Sequence, residues 1–306
     1  MGNLDAVGRK ELGIYARPLP PCKASARQRD PLICGTRGIA LKTDIGSMEH
    51  PLFSLATRPD HSIHRYEHNG RSLEVAPGAR GMATIWDKDV VIYCVSQLVE
   101  IVNRGLVAPP RTLWITAYDL LATTQRGTDG RAYRQLRAAL DRLAGTRITT
   151  HLRTNGTLVT EGSGLIDRWR VVEHSASDSR MVALEIVLSE WLYNAALARE
   201  VLTISPEYFR LRKGLERRLY ELARKHCGYQ RAWRVGLGVL HKKSGSTSNL
   251  KEFRRKLKGL AATDHLPDYR LVYDAGADRL HCYSRTPQGA LQEARQALGQ
   301  PRNRPS

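Results

Sequence analysis

The chain has 306 residues, long enough for about two domains with buried cores, and its 42% hydrophobic content lies in the globular range. Forty-eight Lys and Arg against 30 Asp and Glu leave a formal charge of +18, so a polyanion is the default partner and nucleic acid fits better than a membrane surface. No run approaches the ~20 apolar residues that span a bilayer, and the opening MGNLDAVGRKELGIYARPLP lacks the apolar core of a secretion signal, so a cytoplasmic location is expected. Cys22, Cys34, Cys94, Cys227 and Cys282 stand singly without a CxxC pair and read as reduced thiols, most of them in a core.

Residues 1–47 mix Pro, Gly and Arg without an apolar period, and 286–306 end in QPRNRPS, so both read as flexible tails. Between them, two stretches repeat one order of elements: short capped helix, tight turn, longer basic helix, then two strands. In the first stretch, Asp87 to about Arg104 is predicted as a core helix, because VVIYCVSQLVEIV is long for one strand. Thr116-Ala117-Tyr118-Asp119 has the form of a helix N-terminus, predicting a short helix to Ala122. After the turn TTQRGTDG, Asp129 to Ala144 carries Tyr133, Leu136, Leu140 and Leu143 on one face, with Arg131, Arg134, Gln135, Ala138 and Arg142 on the other. RITTHLRT, a turn at Asn155-Gly156 and LIDRWRVV then read as an antiparallel pair that forms a wing.

Met181–Leu188 alternates like a strand and hands over to the helical SEWLYNAALARE, which places a domain boundary near Ser189. Ser205-Pro206-Glu207 is a helix start; in the basic helix that follows, Leu215, Leu219 and Leu222 mark the core face, and Arg217, Arg224 and Lys225 the other. Trp233–Lys243 supplies a strand end and a short helix, and SGST a turn. Asn249 caps a second basic helix with Glu252 at the reciprocal third position. There Leu250, Phe253, Leu257 and Leu260 point one way, and Lys251, Arg255 and Lys258 the other, with Arg254 at the margin. DYRLVYDAGADRLHCYSR reads as a hairpin with DAGAD at its tip.

The expected architecture is therefore α+β: two tandem winged-helix (helix-turn-helix) domains, at 48–188 and 189–285, between flexible tails. A helix enters a major groove only if its outward face offers donors to phosphates and base edges. The candidate DNA-contacting set is Arg131, Arg134, Gln135 and Arg142 in the first domain, and Ser248, Asn249, Lys251, Arg254, Arg255 and Lys258 in the second. Residues 199–285 hold 20 basic and 9 acidic residues, more than half of the net charge, so the second domain is expected to supply much of the salt-dependent grip.

Long segments add a further signal: HPLFSLATRPD, RYEHNGRSLEVAPGARGMATIWDKDVVIYCVSQLVEIVNRG, GLIDRWRVVE, EVLTISPEYFRLRKGLERRLYELARKHCG, LHKKSGSTSNLKEFRRKLKGL and HLPDYRL. On these, over about residues 50–274, the chain resembles the bacterial plasmid replication initiators called replication initiator protein A, and is distantly similar to the TrfA initiators. The resemblance implies paired winged-helix domains that bind iterated origin repeats in double-stranded DNA, help open the duplex and recruit host replication proteins. It implies no catalytic residue and no cofactor. The matching positions are Ser244 to Leu260 and the helix near Asp129, where Gly130-Arg131-Ala132 adds an Arg to a start that is often Gly-rich in the family.

Rival readings stay open. A transcriptional repressor would use the same modules on an operator. An origin-nicking enzyme would use a Tyr such as Tyr66 with a metal at the cluster His61-Ser62-Ile63-His64-Arg65-Tyr66-Glu67-His68, although the His-hydrophobe-His run of nicking initiators is lacking. No GxxxxGK[ST] phosphate loop occurs. Pro51-Leu52-Phe53-Ser54-Leu55 is loosely like peptides that dock on sliding clamps, and equally suits a buried strand; a homodimer is a further option.

Overall fold

A computed structural model of the chain describes residues 38–299, apart from 69–70, 106–108, 155–156, 174–180 and 229. The strands β1 (Lys42–Asp44), β2 (His64–His68) and β3 (Arg71–Ala76) and the helices α1 (Ile45–Glu49) and α2 (Lys88–Asn103) come first. Helix α2 is the centre of the first core. Every residue from Lys88 to Val99 is buried, as a helix that is apolar nearly all round must be.

Strand β4 (Thr112–Ile115) precedes α3 (Ala117–Thr123) and α4 (Gly130–Gly145). Both helices begin at side-chain caps: Thr116 Oγ1 accepts from the Asp119 amide at 3.0 Å, and Asp129 Oδ1 from the Ala132 amide at 2.8 Å. Leu136, Leu140 and Leu143 of α4 are fully buried. The expected wing is paired differently. Strand β5 (Arg147–Thr154) pairs with β6 (Thr157–Gly164), and β7 (Ile166–Glu173), which contains most of LIDRWRVV, pairs instead with β8 (Met181–Leu188). The sheets run β2-β3-β5-β6 and β4-β8-β7. Between them the chain turns at Gly164, where an added Cβ would lie 3.0 Å from the Ile166 carbonyl oxygen, and Leu165 and Ile166 plunge into the core. TLVTEGSG ends in EGSG, whose two glycines weaken the strand signal, so a local reading passes over it. The predicted turn Asn155-Gly156 lies outside the described residues.

Helix α5 (Glu190–Leu197) buries Leu192 and Ala196 in the first core, so that core continues past Ser189. Strand β9 (Val201–Thr203) pairs antiparallel with β1, and Asp44 caps α1 by accepting from the Ser47 amide at 2.6 Å. Residues 42–47, expected in a tail, are thus folded. The second core starts at Ile204 and takes in Leu41 and, from α2, Ile92. A 3-10 segment (Pro206–Arg210) leads to α6 (Gly214–Cys227), β10 (Ala232–Gly236), α7 (Leu237–Ser244), α8 (Leu250–Thr263), β11 (Tyr269–Asp274) and β12 (Arg279–Ser284). The sheet order is β10-β12-β11. Helix α7 ends at Gly245 with φ +70°, a site where a Cβ would also strike Pro51 at 2.6 Å. A last helix, α9 (Pro287–Gly299), replaces the expected tail and docks through Gln296, which accepts from Arg234 and the Tyr283 hydroxyl, each at 2.7 Å.

Charged residues lock the two cores together. Lys88 lies 2.8 Å from Glu221, and Asp89 takes Arg217 at 2.6 Å and Arg126 at 2.9 Å. Arg217, expected on the outer face of α6, is buried because that face meets the start of α2. Its neighbour Arg218 donates to the carbonyls of Ser47, Met48, Glu49 and Lys243, capping the C-terminal ends of α1 and α7. All the described residues fall in one compact unit. Cys94, Cys227 and Cys282 are buried free thiols, with burial pushing Cys94 and Cys227 up to about 12.

Candidate nucleic-acid interface

The sequence of α8 sets its geometry. Asn249 Oδ1 accepts from the Glu252 amide at 2.9 Å, and Phe253, Leu257 and Leu260 fill the second core. Leu250, expected with them, is 40% exposed at the first turn. Lys251, Arg255 and Lys258 form an exposed cationic row. The Glu252 carboxylate turns to Arg255 at 2.7 Å and holds that guanidinium's pKa above its ordinary value. Arg254 differs: it makes a two-pronged pair with Asp278 at 3.0 and 2.9 Å, tying α8 to the tip of the β11–β12 hairpin. Arg254 and the Tyr273 hydroxyl together hold Asp278 down to about 2. Lys258 lies 5.3 Å above the Tyr273 ring. Ser248 is half-buried in the α7–α8 turn, its hydroxyl 2.9 Å from that of Ser246 and its carbonyl 2.7 Å from His241 Nε2.

In α4, Arg131, Arg134 and Gln135 are exposed on one side. Arg142 is not part of that row. It grips Asp87 through two bonds of 2.7 Å, which raise its pKa, because Asp87 at the mouth of α2 is buried and needs a cationic partner. Of the ten predicted residues, Arg142, Ser248 and Arg254 are half-buried and held by protein partners, and the other seven are exposed. Sequence reasoning missed the basic residues around α3 and the 3-10 segment, Arg58, Arg126, Arg210 and Arg212, which carry no helical period. For Arg126 the available signal was the pair Asp87 and Asp89, two carboxylates opening an apolar helix that require cationic partners.

The His-rich segment makes protein contacts. His64 Nδ1 is 3.0 Å from the Tyr66 hydroxyl and its Nε2 is 3.0 Å from Asp60. Burial pushes the Tyr66 phenol up to about 12, away from a ready nucleophile. Among the described residues no group of three His, Cys, Asp or Glu could hold a metal ion. Leu52 and Phe53 are buried in the first core, unlike a free clamp-docking peptide. No described helix is long and apolar enough to cross a membrane.

Comparison with known proteins gives the frame for these surfaces. The family model for replication initiator protein A matches residues 42–271, from β1 into β11. The chain belongs to the replication initiator protein A family. A protein of Wigglesworthia glossinidia brevipalpis described as "Putative replication protein" is 39% identical over 240 residues, 78% of this chain and 87% of that protein. Among solved structures, a selenomethionine derivative of domains 2 and 3 of RctB superposes with a TM-score of 0.58 at 15% identity, covering 80% of this chain and 99% of that one. A second RctB domain 2–3 structure gives 0.55 at 16% identity with the same coverage. At such identity the likeness is one of mixed α/β fold. The family match starts at residue 42, where β1 begins, in accord with the folded state of a segment expected in a tail.

Proposed function

We propose that this family member initiates plasmid replication by binding repeated origin sequences in double-stranded DNA, with two winged-helix modules as its reading heads. The first would comprise α3, α4 and the β5–β6 hairpin, and the second α7, α8 and the β11–β12 hairpin. The observation that carries this reading is the exposed row Lys251, Arg255 and Lys258 on a helix braced against a hairpin by the Arg254–Asp278 pair. A helix presenting such a row can lie in a major groove while the hairpin follows the adjacent backbone. Lys251 and Lys258 would neutralise phosphates, and Arg255, whose present partner lies on its own exposed helix, would turn to a guanine edge. Arg131, Arg134 and Gln135 would serve the first module, while Arg142 stays with Asp87.

Function here is binding without catalysis: affinity for several adjacent repeats would supply the free energy that strains the duplex, and host proteins recruited to the complex would unwind it. The test is footprinting on the DNA flanking the gene, joined to a nicking assay on supercoiled plasmid with divalent metal. Protection of several direct repeats without nicking is the expected result. Protection of a single inverted repeat would favour a repressor, and metal-dependent nicking would favour an enzyme.

A further inference from the structure

A cleft of about 460 Å³ opens where the α3–α4 turn meets the 3-10 segment and the loop at residues 57–59. Five arginines line it, Arg58, Arg126, Arg142, Arg212 and Arg217, against two carboxylates, Asp87 and Asp89. The inner three are spoken for: Arg142 by Asp87, and Arg126 and Arg217 by Asp89. Both aspartates are buried, at 2% and 1% exposure, so their charge is directed at these guanidinium groups and not at the mouth. Arg58 and Arg212, at the rim, are exposed and have no acidic partner among the described residues.

The cleft is also fixed in shape. Gln125, held at φ +54°, donates from Nε2 to the Pro206 carbonyl at 3.1 Å and accepts from Arg210 at 3.2 Å, which latches the turn to the 3-10 segment. Arg126 adds a bond to the Trp86 carbonyl. Gln135, from the exposed side of α4, reaches the same cleft, so its surface is continuous with Arg131 and Arg134.

We propose that this cleft seats backbone phosphates of duplex DNA, with Arg58 and Arg212 as the contacting groups, so that the strand read by α4 continues over the junction of the two cores. This rests on the DNA-binding reading above. A concave wall of low dielectric with three cations in excess concentrates positive potential at its mouth. The inner arginines contribute that field without moving. The rim arginines have donors to spare for charge-assisted bonds to phosphate oxygens. Gln135 and the exposed Thr57 line the same wall.

The experiment compares full-length wild type, R58A/R212A, R58K/R212K and K251A/K258A for binding to a random-sequence duplex by fluorescence anisotropy across a salt series. Each lost phosphate contact lowers the log-log salt slope by about 0.9. The slope of R58A/R212A is expected to fall by about 1 to 2, and the lysine pair to keep the wild-type slope, since a phosphate needs the charge and not the fork. Thermal melts establish that each variant is folded. A wild-type slope and affinity in R58A/R212A, beside a lowered slope in K251A/K258A, would overturn the cleft and leave the DNA-binding reading standing. No duplex binding by wild type would overturn both. Calorimetry with tripolyphosphate supplies the remaining arm: tight binding lost in R58A/R212A, with the duplex slope unmoved, would assign the cleft to a free phosphate compound and overturn its assignment to DNA.

Discussion

Arg254 and Arg255 are neighbours in the chain with opposite duties. Arg254 is committed to Asp278 across the hairpin, whereas Arg255 is engaged by Glu252 one turn away on an exposed surface, a pair worth little in water and readily exchanged. Arg255→Ala is expected to lose about 1–3 kcal/mol of preference for one guanine position. The check is the ratio of specific to random duplex affinity at one salt concentration. An equal fall for both duplexes would reassign Arg255 to phosphate positioning. The contrast recurs in α4, where Arg134 is exposed and Arg142 is bound to buried Asp87. Arg142→Ala strands that carboxylate and is expected to cost about 3–5 kcal/mol, while Arg134→Ala stays within about 0.5 kcal/mol. Urea denaturation of the two variants measures the difference, and equal midpoints would refute it.

At the scale of elements, α1, α6 and α7 meet at Glu49. Its carboxylate receives Lys225 and Lys243, with His226 Nε2 3.4 Å away. The neighbouring His226, then Lys225 and Lys243, hold the Glu49 pKa well below its ordinary value despite partial burial. Because folding lowers this pKa, ionised Glu49 favours the fold; the gain is complete above the ordinary value of 4.5 and is withdrawn as pH falls below it. Glu49→Gln is therefore expected to be less stable than wild type at pH 7, with the gap closing toward pH 3. Urea midpoints across that range test this, and a gap independent of pH would show that Glu49 acts by packing alone. The same junction explains Gly245, whose positive φ and contact with Pro51 leave room for no side chain.

Across the whole molecule, buried charge pairs join the two cores beside the apolar contact of Ile92. Lys88 of α2 is fully buried 2.8 Å from Glu221 of α6, beside Arg218 and the Asp89–Arg217 pair. Removing one charge from such a set leaves another without compensation in a dry interior. Glu221→Gln is expected to cost about 3–5 kcal/mol and to loosen the junction before either core melts. Hydrogen exchange would read this as early loss of protection at the α2–α6 seam. Uniform loss over both cores would instead mean that they unfold as one body.

The sequence by itself determined the charge that calls for a polyanion, helices α2, α3 and α4 to within a residue or two, the start of α8, and the β11–β12 hairpin. These rest on local causes: side-chain caps, apolar periodicity and turn residues act within one or two turns of chain. The long matching segments also made the family legible. Tertiary structure alone decided that β6 and not β7 pairs with β5, that α5 belongs to the first core, and that β1 and α9 are folded. It also decided which arginines are free. A helical period assigns Arg142 and Arg217 to a polar face, but whether that face meets water or a buried aspartate depends on an element far away in the chain. The cleft at the α3–α4 turn was out of reach for the same reason: its arginines come from four separate segments and acquire a common address only when the chain folds.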